Sequence, residues 1–281
     1  MTIRNLLEQQ VPVFSTLCLD ALSARVAQQA GFKCGYVSGG ALGYAHAVSE
    51  ALLSIDELAD VVRHVCARSD LHLVVDGGVG FGDAVHLTRA VKVLENAGAA
   101  AIEIEDQVAP KRVSHHRGIE HLVSQEEMTA KVKYAVDARV SADTLIIART
   151  GAVKNESFER ACERANAYIE AGADAILIMP ETAEQWAALA AEINTHIVCF
   201  GALGGRTPAQ WVEQGVSLVI DPFTAQVLQV RSMQQTYADF FQGRAPQLPV
   251  QELFSTYNEL DELAGFGELY AIEDATTLTA G

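Results

Sequence analysis

Eight short apolar runs rich in β-branched residues alternate with amphipathic helical stretches. No other feature restricts the fold as much. The runs cover residues 11–16, 34–37, 71–75, 100–105, 145–148, 175–179, 197–200 and 218–220. Continuous apolar runs of this length fit strands buried on both faces, hence a parallel sheet. Helical patterns lie between them, over 21–30, 55–68, 84–97, 125–138, 158–171, 183–193, 208–214 and 223–241. Ser54, Asp83 and Ser157 stand at helix starts, and Pro208 stands in a first turn. Eight strand–helix repeats in roughly 230 residues predict an α/β fold, a closed (β/α)8 TIM barrel. A doubly wound open sheet is the rival. Polar residues recur at the strand C-terminal ends, which favours the barrel. The barrel is expected over residues 1–246, with a helical extension over 247–281 that packs on the barrel or on a neighbouring subunit.

Bulk properties narrow the functional class. The net charge of −16 argues against non-specific nucleic-acid binding. Five scattered cysteines with no CxxC pair point to reduced thiols in a cytoplasmic protein. No apolar run reaches the length of a membrane span, and the first ten residues lack a secretion-signal pattern.

In a barrel of this kind the residues just past each strand converge on one mouth. In chain order these are Ser38, Gly39 and Gly40, then Asp76, then Glu105 and Asp106, then Arg149, then Glu181. This is a carboxylate-rich rim with one strong cation. Ser-Gly-Gly offers N–H groups and a hydroxyl to an anion, or is simply a turn. Asp76 is either a helix cap or, with Glu105 and Glu181, part of a Mg²⁺ site, since that ion takes few carboxylates plus waters and substrate oxygens. Arg149 is either a salt-bridge partner or a bidentate clamp on a substrate carboxylate. Behind Glu105 comes a basic loop with Lys111, Arg112, His115, His116 and Arg117. His115 and His116 are acid–base groups, loop anchors or solvated side chains. There is no zinc-type spacing and no Gly-x-Ser-x-Gly elbow. Cys199, inside an apolar strand, reads as a buried thiol.

Several motifs, taken in order, resemble those of the isocitrate lyase/phosphoenolpyruvate mutase superfamily. They are Tyr36-Val37-Ser38-Gly39-Gly40, Val75-Asp76-Gly77-Gly78, Glu103-Ile104-Glu105-Asp106-Gln107 with Pro110-Lys111-Arg112, and Ile147-Ala148-Arg149-Thr150. The likeness runs from about Val13 to Pro246. It implies a barrel whose last helix is swapped between subunits in a dimer of dimers. It also implies Mg²⁺ (Mn²⁺ being the substitute ion) and a small 2-oxo or 2-hydroxy acid cleaved through an enolate. In that frame Tyr36, Ser38, Gly39, Gly40, Asp76, Arg149 and Glu181 contact the substrate. Asp76 and Glu105 hold the metal. Lys111, His115 and Arg149 serve catalysis, and residues 111–119 form a mobile loop.

The departures shape the expected chemistry. Lyases of this superfamily carry Lys-Lys/Arg-Cys-Gly-His in the loop, with cysteine as general acid, and here Val113 stands in that place. Gly78 replaces a second aspartate of the metal turn, and Gly151 replaces an acidic residue after Arg-Thr. Phe200 falls where a polar residue is expected, and Ser49 or Glu50 where an aspartate is. The resulting expectation is a Mg²⁺-dependent lyase or decarboxylase acting on an oxaloacetate-like or methylisocitrate-like substrate. Mutase or hydrolase chemistry on phosphonopyruvate is one alternative, and a non-catalytic carboxylate-binding barrel is another.

Overall fold

The computed structural model describes residues 1–9, 11–201 and 205–277. Most of the glycine-rich loop expected after the seventh strand, at 202–204, lies outside them. The strands are β1 Val13–Leu17, β2 Cys34–Val37, β3 His72–Asp76, β4 Ala101–Glu105, β5 Leu145–Arg149, β6 Ala175–Leu177, β7 His196–Phe200 and β8 Val216–Asp221. They are parallel and close in sequence order, with β1 pairing β8. The helices are α1 Ile3–Leu7, α2 Ala21–Gln29, α3 Gly39–Ala45, α4 Ile55–Cys66, α5 Ala84–Ala97, α6 Gln125–Ala138, α7 Ala152–Asn155, α8 Phe158–Glu170, α9 Ala183–Glu192, α10 Pro208–Glu213, α11 Thr224–Phe241, α12 Val250–Ala264 and α13 Phe266–Thr276. The expected barrel is therefore the observed one.

The chain divides into two compact units, Met1–Thr224 and Ala225–Gly281. The division precedes nearly all of α11, whereas the sequence pattern put a boundary after residue 246. In the second unit α12 ends at Gly265, whose left-handed φ of 76° turns the chain into α13. No helix among the described residues is long and apolar enough to cross a membrane.

In the first unit, side-chain alternation sorts the strands into two cores. Cys34, Tyr36, Val74, Ala101, Leu145, Ile147, Leu177, Val198 and Ile220 fill the barrel interior, where Ile3, Leu6 and Leu7 of α1 join the same cluster. Residues of opposite parity, such as Val37, Val75, Ile102, Ile104 and Ile146, pack in a second cluster with Leu58 and Val62 of α4, Leu87 and Val91 of α5 and Met128 of α6.

Two differences from the sequence pattern bear on function. Strands β3 and β5 each run one residue further than the apolar runs, so Asp76 and Arg149 are held by the sheet rather than by loops. Ser38-Gly39-Gly40 is not a free turn either. Ser38 caps α3, its hydroxyl accepting from Ala41 N–H at 3.2 Å, although glycines are poor helix formers.

The adjacent carboxylates Glu105 and Asp106 point to opposite faces. Asp106 accepts hydrogen bonds from the Thr150 hydroxyl (2.7 Å), the Tyr168 hydroxyl (3.0 Å) and the Gly151 N–H (3.0 Å), with Arg164 at 3.5 Å. It ties β4 to the segment after β5 and to α8, away from the barrel axis. Asp106→Ala should cost about 3–5 kcal/mol, because buried Arg164 and several donors lose their acceptor. Urea unfolding of the variant checks this.

Candidate active site

The register of the barrel builds the site. Glu103 and Glu105, two apart on β4, share the interior face. Asp76 is paired with Glu103 across β3–β4, and Glu105 with Arg149 across β4–β5. Side chains from β3, β4 and β5 thus meet at the C-terminal mouth, where barrel enzymes place their chemistry.

Glu103 lies deepest. Its Oε2 accepts from the Tyr36 hydroxyl at 2.8 Å and its Oε1 from Arg149 Nη1 at 3.2 Å. Burial, and then the Asp76 charge, push its pKa up to about 7 against the pull of Arg149. Burial and the same carboxylates raise the Tyr36 phenol well above its usual value. The Arg149 guanidinium lies 5.2 Å from the centre of the Phe200 ring. Phe200 thus closes that side with an apolar face where a polar residue was expected.

Glu105 is more strongly held in its charged form. Burial alone would raise its pKa, but Lys111 and then Arg149 outweigh burial and lower it. Its Oε2 accepts from Gln107 Nε2 at 3.0 Å and lies 3.6 Å from Arg149. Its Oε1 pairs with the Lys111 ammonium at 2.6 Å. Asp76 accepts from Gly39 N–H at 3.1 Å and from Gly78 N–H at 3.0 Å. Asp76 lines the cavity at the mouth together with Lys111, which pairs with Glu105.

Lys111 brings the basic loop down onto this cluster, ion-pairing with both Glu105 and Glu50. Burial disfavours its charge, but Glu105, Asp76 and Glu50 more than compensate and raise its pKa. The loop continues as a short 3₁₀ turn, Val113–Arg117. His115 Nδ1 lies 2.6 Å from the Arg112 carbonyl, and Nε2 lies 2.8 Å from Glu50 Oε1. A carbonyl only accepts, so Nδ1 is the donor there, and Nε2 faces Glu50. His116 bonds Ser49 at 2.9 Å. Val113, in the place of the superfamily's cysteine, is exposed.

Most of the residues expected at the site converge. Tyr36, Glu105, Lys111, His115 and Arg149 are joined in one network through Glu103 and Glu50, the Gly39–Asp76 pair is a separate contact, and Gly40 approaches Glu50 closely. The Ser38 hydroxyl serves the α3 cap. Glu181 is exposed, and its N–H donates to Gln185 in the cap of α9, apart from the cluster. Two participants were not singled out for a role. Glu103 is legible in hindsight from its i, i+2 spacing with Glu105. Glu50 came up only as one of two stand-ins for an aspartate, because long-range pairing with the loop leaves no local signal. At Gly151 an added Cβ would collide with the Glu120 carboxylate, which also accepts from Asn155 at 2.8 Å. Here a carboxylate from the basic loop's far end reaches the spot where the superfamily has an acidic residue.

The donor set fits a divalent cation. Glu50, Asp76, Glu103 and Glu105 crowd around Lys111, Arg149 and His115. Among the described residues no three His, Cys, Asp or Glu side chains are placed to enclose an ion by themselves. Water and substrate oxygens would complete the shell, as is common for Mg²⁺.

Comparison with known proteins bears out the resemblance. The family model for phosphoenolpyruvate phosphomutase matches residues 3–241. The chain belongs to this family. A 2-methylisocitrate lyase of Aeropyrum pernix is 33% identical, the match covering 98% of this chain and 90% of the relative. An oxaloacetate decarboxylase of Paraburkholderia xenovorans is 37% identical over 71% of this chain and 68% of its own. A phosphonopyruvate hydrolase solved with oxalate and Mg²⁺ superposes with a TM-score of 0.86 at 29% identity, covering 99% of this chain and 100% of that one. The phosphomutase-family barrel therefore spans nearly the whole first unit, and its mouth carries the network above.

Because Glu103 binds its proton more tightly when folded, its contribution to stability falls as pH rises from its ordinary value of 4.5 through about 7. Glu103→Gln should flatten the pH dependence of stability in that window. Urea unfolding across the window measures it.

Proposed function

We propose that the protein is a Mg²⁺-dependent carbon–carbon lyase that cleaves a small 2-oxo or 2-hydroxy acid through an enolate. The observation that carries this reading is the convergence of Asp76, Glu105 and Arg149 from the ends of three neighbouring strands on one mouth. Asp76 and Glu105 would hold the ion, partly through water. When bound, it supplies positive charge next to the substrate's C1 carboxylate and C2 oxygen, where negative charge develops. Arg149, fixed by Glu103 and backed by Phe200, steadies substrate oxygens. Gly39 at the start of α3 positions Asp76 through its N–H, and the neighbouring Gly40 would leave room for the substrate carboxylate. Tyr36 sets the position of Glu103.

Oxaloacetate is the simplest example. The C3–C4 bond breaks, CO₂ leaves with C4, and the bonding electrons form the pyruvate enolate, which then takes one proton at C3. No cysteine acid is required, in keeping with Val113. His115, held against Glu50, delivers that proton. His115→Ala should lower turnover by about 10²-fold or more, the usual contribution of a positioned acid. Unchanged turnover would assign the protonation to water.

The test of the function is a screen of 2-oxo and 2-hydroxy dicarboxylates with Mg²⁺ or Mn²⁺, following pyruvate and glyoxylate. Metal-dependent release of either is expected, and no release from any member would refute the reading. Phosphonopyruvate is the second candidate, supported by the hydrolase's likeness and by the missing loop cysteine. Phosphorus NMR of an incubation separates the two.

Gly78 bears on metal affinity. Its φ of 53° is one that aspartate tolerates, and an added Cβ would meet nothing within 4 Å. Gly78→Asp should fold and bind Mg²⁺ at least about tenfold tighter, since affinity rises with ligand charge. Titration calorimetry reads this directly.

We also propose a homo-oligomer, a dimer of dimers with the last helix exchanged. Support comes from the exposed apolar side chains Val227, Leu228, Tyr237, Phe240, Phe241, Phe254 and Tyr257 along α11 and α12. The five unpaired thiols fit a cytoplasmic setting.

A further inference from the structure

A lysine stands in the apolar stripe of α6. Met128, Lys131, Val132 and Ala135 form the buried face of that helix, and Lys131 is 1% exposed. Lysines are almost never fully buried unless the charge is met. Here the ammonium donates to two main-chain carbonyls, Val79 at 2.6 Å and Gly82 at 3.3 Å, rather than to a carboxylate. Burial pulls its pKa below the usual lysine value, against the opposing charges of Glu127 and Glu105. What this buried cation holds is a short piece of backbone.

That piece is the turn after β3. Gly78, Gly80, Phe81 and Gly82 have φ of 53°, 79°, 60° and 154°, all in the region that favours glycine. Phe81 is a bulky residue in that region, and such a conformation persists only where its surroundings over-determine it. The two carbonyls that Lys131 bridges lie on either side of Phe81. The same turn joins the strand ends that carry the carboxylates. Gly78 N–H donates to the Asp76 carboxylate at 3.0 Å, the Gly78 carbonyl accepts from Glu105 N–H at 2.9 Å, and Gly77 N–H donates to the Glu103 carbonyl at 2.8 Å. Residues 77–79 and 81–83 line the cavity at the mouth, which occupies about 460 Å³.

We infer that Lys131 is a positioning residue for the mouth: by bridging two carbonyls it holds a strained turn in the shape that fixes Asp76 and Glu105 relative to each other. This rests on the reading of Asp76 and Glu105 as the metal pair. Without the bridge Phe81 relaxes to an ordinary φ, and the Gly78 contacts to both strand ends shift with it. A lysine that only packed α6 against the barrel would act on stability throughout; Lys131 acts on the turn.

Three variants test this. Lys131→Met keeps the stem and removes the donors, Phe81→Gly removes the strain that needs restraint, and the third combines them. Calorimetry with oxalate and Mg²⁺ reads the mouth. Hydrogen exchange followed by mass spectrometry reads the turn with no metal present. Lys131→Met should weaken Mg²⁺-dependent oxalate binding by about tenfold to a hundredfold, the range for groups that orient metal ligands from outside. Exchange should rise in peptides covering Gly78, Gly80 and Glu105 and stay unchanged in β6, β7 and β8. In the Phe81→Gly background the same substitution should lose most of its effect, the mark of coupled neighbours. Lys131→Gln keeps N–H donors without the charge; it should show the same pattern with a smaller loss, and it carries the test if Lys131→Met does not fold. Unchanged oxalate binding in Lys131→Met, an equal loss in both backgrounds, or exchange rising evenly over the barrel would overturn the inference. Absence of Mg²⁺-dependent oxalate binding in the unaltered protein would refute the metal reading instead, and a rise in exchange confined to the turn would then still uphold Lys131 as its clamp.

Discussion

The concentration of negative charge at one end of the barrel governs the rest of the site. Parallel register sets Asp76 beside Glu103 and Glu105 beside Arg149, and alternation turns Glu103 and Glu105 to the same interior. In a low-dielectric mouth such crowding has to be relieved. Glu103 yields by holding its proton up to about 7. Arg149 and Lys111 neutralise part of what remains, and Lys111 carries its whole loop to the cluster in doing so.

Glu103, Glu105 and Asp106 lie within four residues of one strand end yet divide three tasks by orientation. Glu103 fixes Arg149 and Tyr36 beneath the mouth. Glu105 pairs with Lys111 and lies near Arg149, anchoring the basic loop at the mouth. Asp106 fastens the barrel wall to α8 through Tyr168 and Arg164. Stability and chemistry thus sit on neighbouring residues without sharing a side chain.

The barrel was legible because burial on both faces leaves an unambiguous apolar run, and because Asp76, Glu105 and Arg149 interrupt those runs at matching ends. Less legible were features set by contacts far apart in the chain. Pairing of Glu50 with Lys111 and His115 joins segments about sixty residues apart and leaves no periodic trace. The chain between Glu50 and the loop reads only as helix and strand. Helix α3 was hidden because Ser38-Gly39-Gly40 carries the composition of a turn, and tertiary packing overrides that propensity. Glu181 illustrates the opposite error of emphasis. It follows a strand like the other rim residues, but β6 ends at Leu177, and Glu181 falls in the cap of α9. Among the superfamily positions that appeared lost, the one at Gly151 has a carboxylate nearby from Glu120, a distant residue.

The most direct test of the central claim is calorimetric titration of the protein with oxalate, an enolate mimic, with Mg²⁺ present and again after chelation. Oxalate should bind only with Mg²⁺ present, and that dependence should vanish in Glu105→Gln. Equal oxalate affinity with and without the ion would contradict the account.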